Sequence, residues 1–568
     1  MSDKFLEYKQ GHSPLPLILL RWHLYGAGLE NMGDNGKPTP VPMPTYGPDE
    51  LLVRHDAVGL CFSDTKVIAQ GQNHPRIYND MKTNPVTLGH EVSMTIVAVG
   101  RDLRDQYHVG QRFIIQADVY LNGVSMAYGY ALQGGLSQYN VIDERVLKTD
   151  FGNMLIPIQD DLGYAEGALV EPWACVVAAY RLTYRTAFKN GGTAWIIGGG
   201  GDKSYSISSG FDKSSRPAKV MMTDVPPAFA EGLKKLARQS GSEVVEIARL
   251  EDVKSESVDD IVVLGANADL IEKASAYLGQ FGVMAIMADV PLPRKLSIDM
   301  GRVHYMRWAY VGSTGCDISG AYAAKPIRSA LKAGGTAWFV GAGGPIGRMH
   351  VQRAIQFNDP PAVIVASDVS DLRLQDLYES FKDEAKAKGI EFLCLNPTKK
   401  EEYDRAMARF FRDGFDDIVV LAPIAAVITE SASHVADDGV VNVFAGVIKG
   451  TMVDLDMSNI YLRNVRFIGH SGSSMDDMLI TLHKTEAKEL SPNRSLAALG
   501  SLSAARDGLR AVKEQIFPGK VVIYNQIKEM PLTPITALKE EMPRVYAKME
   551  HGQWTVAAEE EFLRLMLP

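Results

Sequence analysis

The second half of the chain carries the same sequence pattern twice, and this duplication restricts the fold more than any other feature. GGTAWIIGGGG at Gly191 returns as GGTAWFVGAGG at Gly334, and DDIVVLG at Asp259 returns as DDIVVLA at Asp416. MMTDV likewise matches VASDV, and LSIDMGRVHYMRWAYVGSTG matches VDLDMSNIYLRNVRFIGHSG, so that four blocks occur in the same order. Doubly wound sheets share valine-rich strands as a class, but these blocks match in identity. The pattern predicts a duplicated domain, with copies from about 191 to 322 and from about 334 to 478.

The local pattern of each copy is that of a parallel sheet. DDIVVLG is an apolar strand, and NADLIEKASAYLGQFG after it has helical periodicity. Such alternation indicates parallel βαβ units. By contrast, residues 50–150 form short extended runs separated by turns that contain glycine, which predicts a small, mostly antiparallel β unit. Residues 501–568 contain FPGKVVIY and a helical tail and are not a third copy.

Composition excludes several classes of protein. The 568 residues are too many for one ordinary domain, and 46% of them are hydrophobic, which is enough for several cores. The net charge of −9 includes no dense basic run, so nucleic acid is not an expected partner. The N-terminal MSDKFLEYKQ does not resemble a secretory signal, and no segment approaches a membrane span of roughly 20 apolar residues. Four widely separated cysteines fit a reducing compartment, so we expect a cytoplasmic protein.

Four residues of the first third could together hold a metal ion. They are Cys61 in GLCFSD, His90 and Glu91 in LGHEV, and Glu171 in ALVEPWACV. A thiolate, an imidazole and a carboxylate can make a tetrahedral zinc site with one position open for substrate or water. A lone buried cysteine is more often a small apolar residue. The combination on a β-rich unit that precedes a nucleotide-binding pattern favours the metal.

These motifs resemble the zinc-containing medium-chain dehydrogenases, in particular the sorbitol dehydrogenase and sorbose-1-phosphate reductase branch. The resemblance includes the nucleotide-binding region and FPGKVVIY. It implies an α/β protein with a GroES-like catalytic domain at 1–185, two tandem Rossmann domains at 186–325 and 326–500, and a segment at 501–568 that returns to the catalytic domain. The implied activity is zinc-dependent transfer of hydride between NAD and a secondary alcohol of a polyol, sugar alcohol or sugar phosphate, with a small molecule as substrate.

The resemblance also assigns roles to residues. It implies that Cys61 and His90 bind zinc and that Glu91 and Glu171 are direct or exchanging ligands, and which of the two is the resting ligand stays open. Ser63 matches the hydroxyl that passes the substrate proton outward. Asp64 matches the carboxylate that orients the zinc-bound imidazole. Serine and aspartate after a strand are also ordinary turn residues, but Cys61 fixes their register.

Two departures from the family pattern limit the resemblance. Lys66 stands where several alcohol dehydrogenases have a histidine that continues the proton relay, so the outer relay is open. The region 117–138 contains no cysteine, which excludes the second, structural zinc of many members. Cys175 lies four residues after Glu171 and is interpreted as a packed helix residue.

The second copy has the stronger nucleotide-binding pattern. Glycines after a strand let backbone amides approach a pyrophosphate at a helix N-terminus, and an acidic residue after the next strand favours NAD over NADP. Ala342 takes the place of the usual first glycine. The candidate residues are Gly341, Gly343, Gly344, Pro345, Ile346, Gly347, Asp368 and Arg373.

The first copy departs from that pattern. Ser204 takes the place of Gly347, Asp202 puts a negative charge beside the expected pyrophosphate, and SYSISSGFDKSSRP lacks an apolar helical stripe. Asp224 remains, so nucleotide binding is not excluded, but we expect this copy to be degenerate. Chain order favours the first copy as partner of the metal site, whereas the glycine pattern favours the second.

Three further points stay open at the level of sequence. Family members dimerise through sheet edges, so the two copies are expected to pair as an internal pseudo-dimer, with a homo-oligomer left open. His74, Arg76 and Lys82 could contact a substrate phosphate, although a solvated loop is the simpler interpretation. A zinc-free reductase of the same superfamily and a non-catalytic nucleotide sensor are the alternative functions.

Overall fold

In a computed structural model the chain forms two compact units, and the structure describes residues 4–201, 203–212, 215–323 and 327–568. One unit, here the catalytic unit, consists of Met1–Val177, Gly344–Met349 and Ser473–Pro568, and the other, here the repeat unit, of Ala178–Gly343 and His350–Gly472. The boundary expected between the copies falls at 324–326, outside the described residues. Residues 473–500, which the sequence interpretation gave to the second copy, belong to the catalytic unit.

The elements that precede the duplicated region are short strands and helices. They are α1 (Lys4–Lys9), β1 (Ile18–Arg21), β2 (Thr39–Pro42), β3 (Leu51–Gly59), α2 (Phe62–Gln70), β4 (Glu91–Val99), β5 (Arg112–Ile115), β6 (Tyr120–Leu121), β7 (Val124–Ser125), β8 (Tyr139–Ile142), α3 (Glu144–Leu147), β9 (Leu155–Pro157), α4 (Tyr164–Ala168) and α5 (Val170–Ala179).

The first copy has fewer helices than the second among the residues that the structure describes. Its elements are β10 (Thr193–Gly198), β11 (Lys219–Thr223), α6 (Pro227–Ser240), β12 (Glu243–Glu246), β13 (Val258–Leu264), α7 (Ala268–Ser275), β14 (Leu278–Met287), β15 (Leu296–Asp299), α8 (Met300–Met306), β16 (Ala309–Ser313) and α9 (Ile318–Ala323). The described residues between β10 and β11 form no helix; Asp202 is not among them.

The second copy and the C-terminal segment complete the chain. The second copy comprises β17 (Thr336–Val340), α10 (Pro345–Gln356), β18 (Val363–Ser367), α11 (Asp371–Ala387), β19 (Glu391–Leu395), α12 (Lys400–Asp413), β20 (Phe415–Val420), α13 (Ala425–Ala432), β21 (Val435–Val443), β22 (Met452–Leu455), α14 (Ser458–Leu462) and β23 (Arg466–Ile468). The remaining elements are α15 (Met475–Glu486), β24 (Leu496–Ser501), α16 (Ala505–Lys513), β25 (Lys520–Tyr524), β26 (Thr533–Pro534), α17 (Leu538–Glu541), α18 (Pro543–Tyr546) and α19 (Val556–Met566).

The catalytic unit is built on a mostly antiparallel sheet with the order β26-β24-β25-β3-β4-β5-β9, and β8 also pairs with β3. β3 is buried along its whole length, because it lies between β4 on one side and β25 and β8 on the other. β25 pairs antiparallel with β3, with Val522 opposite Gly59. The C-terminal segment is therefore part of the sheet that carries the candidate metal residues.

Each copy in the repeat unit is a parallel, doubly wound sheet. The strand orders are β12-β11-β10-β13-β14-β16 and β19-β18-β17-β20-β21-β23, and every neighbouring pair is parallel. Such orders reverse direction at the first strand of the copy, β10 or β17, where open sheets bind ligands beyond the carboxyl ends of the strands. The predicted α/β class with two parallel sheets is confirmed.

The doubled aspartates of DDIVVL have a structural cause. Arg185 pairs with Asp260 at 2.9 Å, and Arg328 pairs with Asp417 at 2.5 Å in the second copy. Lys189 and Lys332 likewise bind the preceding aspartates, each at 2.6 Å. These ion pairs attach the segment before each copy to its fourth strand.

The edge strands β16 and β23 of the two sheets lie beside one another without forming a ladder, and a separate antiparallel pair, β15 with β22, joins the copies. The expected joining of the two sheet edges is thus replaced by pairing of a strand that lies outside each parallel sheet. None of the helices in the described part of the chain has the length and apolar character needed to cross a bilayer.

Glu166 in α4 gives a prediction about stability. Burial, reinforced by the charge of Glu559, raises the pKa of Glu166 from 4.5 to about 7. Between these values the folded state binds the extra proton, so the free energy of unfolding falls as pH rises through this window. We expect Glu166→Gln to stabilise the protein at pH 8 by on the order of 1 kcal/mol, since one pKa unit corresponds to about 1.4 kcal/mol, and to have little effect at pH 4. Denaturant unfolding at both pH values measures this.

The control for that experiment is Glu144→Gln, because Glu144 is an exposed carboxylate on α3. It should change stability little at either pH. A Glu166→Gln effect of the same size at both pH values would contradict the assignment.

Candidate functional site

Three of the predicted metal residues lie together in the catalytic unit. Ligand atoms of Cys61, His90 and Glu91 all lie within 4.8 Å of one another. Cys61 precedes α2, and Glu91 opens β4 opposite Gly59 at the end of β3. A side chain at Gly59 would place its Cβ 2.1 Å from Glu91 Oε2, so only glycine leaves room for the buried carboxylate.

Asp64 links the cysteine to the histidine. Its Oδ2 accepts a hydrogen bond from the Cys61 backbone N–H at 3.0 Å, and its Oδ1 lies 3.2 Å from His90 Nδ1. The side chain of Asp64 is fully buried. One carboxylate therefore holds both the start of α2 and the ring of His90, which leaves His90 Nε2 directed toward the other side chains of the cluster.

Ser63 lies next to this cluster. Its Oγ donates to Cys61 Sγ at 3.0 Å and lies 3.4 Å from His90 Nε2. The hydroxyl is therefore next to two predicted ligands, where a bound substrate hydroxyl would meet it. Lys66 lies one turn further along α2, and its charge acts on His74.

Glu171 does not join the cluster of three. It lies in the first turn of α5, and its Oε1 is 3.9 Å from Cys175 Sγ. Burial raises the pKa of Glu171 to about 7, with His90 opposing the rise and Glu91 adding to it. Burial also raises the pKa of the Cys175 thiol well above its usual range. Glu171 thus lies close enough to His90 and Glu91 for their charges to affect its pKa, while Glu91 is the carboxylate that joins Cys61 and His90 in the cluster.

Lys520 is a part of this site that the sequence analysis missed. Its Nζ donates to Glu91 Oε1 at 2.6 Å and to the Leu60 carbonyl at 2.7 Å, and the lysine is buried. Burial alone would lower the pKa of Lys520, but the charge of Glu91 raises it. A signal was present, because a lysine at the start of the apolar strand KVVIY needs a buried partner.

An aromatic wall adjoins the cluster. The Tyr130 ring centroid lies 5.6 Å from that of His90 and 5.6 Å from that of His74. Arg76 lies 5.4 Å above the same ring and pairs with Asp118 at 2.6 Å. Of the three residues considered for a substrate phosphate, His74 and Arg76 flank Tyr130, whereas Lys82 is exposed and hydrogen-bonds through its backbone to Asp80.

The donor set is suited to a metal ion. A cysteine sulfur, an imidazole nitrogen and a carboxylate are ligand types that zinc accepts. Glu91 Oε2 is buried and has no hydrogen-bond partner in the described structure. An unsatisfied buried carboxylate oxygen is costly unless a cation completes its environment. The three residues therefore fit a zinc ion.

The second copy folds its glycine-rich turn around Asp368. Gly341, with φ +82°, donates to the Ser367 carbonyl at 2.8 Å, and the Gly343 N–H donates to Asp368 Oδ2 at 3.0 Å. A Cβ at Gly343 would lie 2.7 Å from the Asp368 carboxyl carbon, so the turn requires glycine here. Arg373 Nη2 lies 3.4 Å from Asp368 Oδ1.

The remaining predicted residues form the start of the following helix. Gly344 has open space around it, and Pro345, Ile346 and Gly347 form the first turn of α10. Strand end, glycine turn and helix start thus follow one another as phosphate binding requires.

The comparisons with known proteins agree with this geometry. Residues 47–150 match the alcohol dehydrogenase GroES-like domain, which includes Cys61, His90 and Glu91. The chain is 28% identical to L-sorbose 1-phosphate reductase of Klebsiella pneumoniae, over 51% of this chain and 75% of that protein. It is 23% identical to the uncharacterized protein YggP of Escherichia coli, over 92% of both chains. The crystal structure of 2R,3R-butanediol dehydrogenase from Bacillus subtilis is 15% identical, covers 89% of this chain and 99% of its own, and has a TM-score of 0.50.

The comparisons support the predicted resemblance to medium-chain dehydrogenases. Both the GroES-like domain and the parallel sheets that the sequence predicted are found in this dehydrogenase. With polyol and sugar-phosphate dehydrogenases among its relatives, the protein is an alcohol oxidoreductase.

The buried ion pair of this dehydrogenase gives a second prediction. Lys520→Met keeps the length of the side chain but leaves Glu91 buried without its cation. Breaking such a pair costs about 3–5 kcal/mol, so we expect a loss of that size in the free energy of unfolding of chelator-treated protein. Lys513→Met, on the exposed face of α16, is the matched control and should be near neutral. Equal stability of the two variants would show that Glu91 does not depend on Lys520.

Proposed function

We propose that the protein is a zinc-dependent, NAD-linked dehydrogenase that acts on a secondary alcohol of a polyol, sugar alcohol or sugar phosphate. The observation that carries this proposal is the cluster of Cys61, His90 and Glu91 within 4.8 Å in an alcohol dehydrogenase GroES-like domain. The unsatisfied oxygen of Glu91 supports a cation at that point.

The proposed ligands are Cys61, His90 and Glu91, with Glu171 as a direct or exchanging ligand. Zinc held there would lower the pKa of a bound hydroxyl, as it lowers that of bound water to about 7. The protein residues then have separate tasks. Asp64 holds the Nδ1 side of the His90 ring, and Ser63 Oγ, next to both Cys61 and His90, takes the substrate proton and passes it outward.

A polar substrate fits the residues around the cluster. Arg76 and His74 flank Tyr130, and the Tyr130 ring lies beside that of His90. Hydrogen-bond donors are therefore separated from the proposed ligand His90 by a single side chain. L-sorbose 1-phosphate reductase, one of the relatives, is named for a phosphorylated sugar. We therefore propose a polyhydroxylated substrate and include its phosphate esters.

The proposed cofactor site is the second copy. Gly341, Gly343, Gly344 and the first turn of α10 would receive the pyrophosphate, and Asp368 would receive the ribose hydroxyls. A carboxylate at that position repels the additional phosphate of NADP, which supports NAD. Arg373 lies beside Asp368 and belongs to the same proposed site.

Metal analysis of purified protein tests the zinc proposal. We expect about one zinc per chain, the value for a catalytic site without a structural zinc. Cys61→Ala should lose the zinc and the NAD-dependent oxidation of polyols together. Cys316→Ala removes an exposed thiol on another part of the chain and should keep both. A zinc-free wild-type protein, or a Cys61→Ala variant that keeps its zinc, would contradict the proposal.

A charge-removing substitution tests the cofactor. Asp368→Asn keeps an acceptor for the Gly343 N–H but loses the charge that binds ribose and excludes NADP. Because a hydrogen bond to a charged group contributes about 1.5–3 kcal/mol, we expect NADH binding to weaken by about tenfold to a hundredfold and the preference over NADPH to shrink. Asp224→Asn makes the equivalent change in the first copy and should leave NADH affinity unchanged. Fluorescence titration with both nucleotides measures this, and an effect at Asp224 in place of Asp368 would overturn the choice of copy.

A further inference from the structure

The contact between the two copies has twofold symmetry. In the repeated sequence Leu296, Ser297 and Ile298 correspond to Val453, Asp454 and Leu455. In the antiparallel pair, Leu296 lies opposite Leu455, Ile298 opposite Val453 and Ser297 opposite Asp454. A twofold rotation that exchanges the copies turns the pair Leu296–Leu455 into the pair Val453–Ile298. The same rotation maps the pair Ser297–Asp454 onto itself. The pseudo-twofold axis therefore passes between Ser297 and Asp454.

The same symmetry extends to the helices behind the two strands. The outward N–H of Ser297 donates to Glu272 on α7 at 3.0 Å, and that of Asp454 donates to Thr429 on α13 at 3.2 Å. Glu272 and Thr429 are both the fifth residue of their helices. Both copies thus hold the paired strand in the same way.

Two glycines at the sheet edges repeat this relation. A Cβ at Gly312 would lie 2.9 Å from Tyr461 Cβ, and a Cβ at Gly469 would lie 3.4 Å from His304 Cα. Gly312 corresponds to Gly469, and His304 corresponds to Tyr461, in the repeated block. Each contact from a residue of the first copy to a residue of the second is thus matched by the contact between their counterparts. An interface with this property between two subunits is called isologous.

The interface is as buried as a protein core. Leu296, Ile298, Val453 and Leu455 are each no more than 2% exposed. They belong to one continuous hydrophobic cluster that includes Trp195 of the first copy and Trp338 of the second. The contact is therefore part of the folded repeat unit, and it buries the surface of the second copy around Val453 and Leu455.

The nucleotide cleft of the first copy is bridged by its own side chains. Lys203 Nζ lies 2.7 Å from a carboxylate oxygen of Asp289 and donates to the Thr314 carbonyl at 2.9 Å. Asp289 and Thr314 follow the carboxyl ends of β14 and β16, the edge where such sheets bind ligands. The Tyr205 hydroxyl also lies against Gly201, at 2.3 Å from where a Cβ would be.

Aromatic side chains fill the core of this copy. The Phe188 ring lies 5.5 Å from that of Phe211 and 4.9 Å from that of Tyr322, and all three residues are buried. Phe211 belongs to the stretch between β10 and β11, where the second copy has the phosphate-binding helix α10. In the first copy this stretch is built for packing.

We infer that the first copy, residues 191–323, serves as a built-in partner subunit. It takes no nucleotide and covers the nucleotide-binding copy as a second subunit would cover it. One chain then contains a complete pair of nucleotide domains and a single cofactor site. The statement about nucleotide rests on the proposed function, and the statement about pairing does not.

A disulfide across the pseudo-twofold axis tests the pairing in the full chain. The N–H groups of Ser297 and Asp454 point away from each other, which makes them a non-hydrogen-bonded pair with Cα atoms about 4.5 Å apart. That separation lies within the range of a disulfide. On oxidation, Ser297→Cys with Asp454→Cys should give a cross-linked monomer that migrates faster on a non-reducing gel. The control, Ser297→Cys with Met452→Cys, uses the diagonal neighbour, about 7–8 Å away, and should cross-link far less.

The outcomes separate the two parts of the inference. A covalent dimer of the double variant would overturn it, since the pairing would then be between chains, and so would cross-linking no greater than in the control. NADH titration of the cross-linked monomer should give one site per chain, and two sites would overturn the statement that the first copy takes no nucleotide. If NADH failed to bind at all, the proposed function would fall, while the cross-linked monomer would still establish the pairing.

Discussion

A buried lysine connects the last part of the chain to the candidate metal site. Lys520 begins β25 and donates to both Leu60 and Glu91 from a position with a 4% exposed side chain. It thereby fixes the carboxylate next to Cys61 and His90, and it joins β25 to the end of β3. Because a charge buried here requires its partner, the sheet and the site depend on each other. In the sequence, the two repeat copies are inserted between the residues of the candidate metal site and the C-terminal segment that carries Lys520.

This dependence explains which parts of the site could be predicted from sequence. Cys61, Ser63 and Asp64 are adjacent in the chain, and their geometry follows from the start of a helix, so local pattern suffices. His90 and Glu91 are adjacent on one strand for the same reason. Lys520 is 429 residues from Glu91, and its contact depends on strand pairing that no local pattern encodes. Glu171 stays a predicted ligand: the start of α5 places its carboxylate beside Cys175, outside the cluster of Cys61, His90 and Glu91.

More of the fold than of the site could be predicted, because a pattern that occurs twice in one sequence identifies its own structural unit. GGTAW and DDIVVL each contribute a buried strand to both copies, and the aspartates of DDIVVL form the same ion pairs, Arg185 with Asp260 and Arg328 with Asp417. The sequence could not reveal that LSID and MVDL form the contact between the copies, since a strand of four residues gives a weak periodic signal. The two copies are joined by this short pair of strands and not by the edges of their sheets, as had been expected by analogy. The repeat unit ends at Gly472, and the residues after it, which include β24, belong to the catalytic unit.

The position of the differences between the copies indicates what each copy is required to do. Three of the four matching blocks are the central strand, the ion-paired aspartates and the interface strand, and each of these three has a structural task in the repeat unit. The segment that differs most is the one after the glycines, where the second copy has α10 and the first has Lys203 bridging to Asp289. A domain without a glycine-rich turn keeps its stability if other side chains fill its core. In the first copy Phe188, Phe211 and Tyr322 do so. Loss of the interface strand would expose Val453 and Leu455 of the second copy to water. Physical constraint therefore acts on the packing surfaces of both copies, whereas the turn after the glycines differs between them.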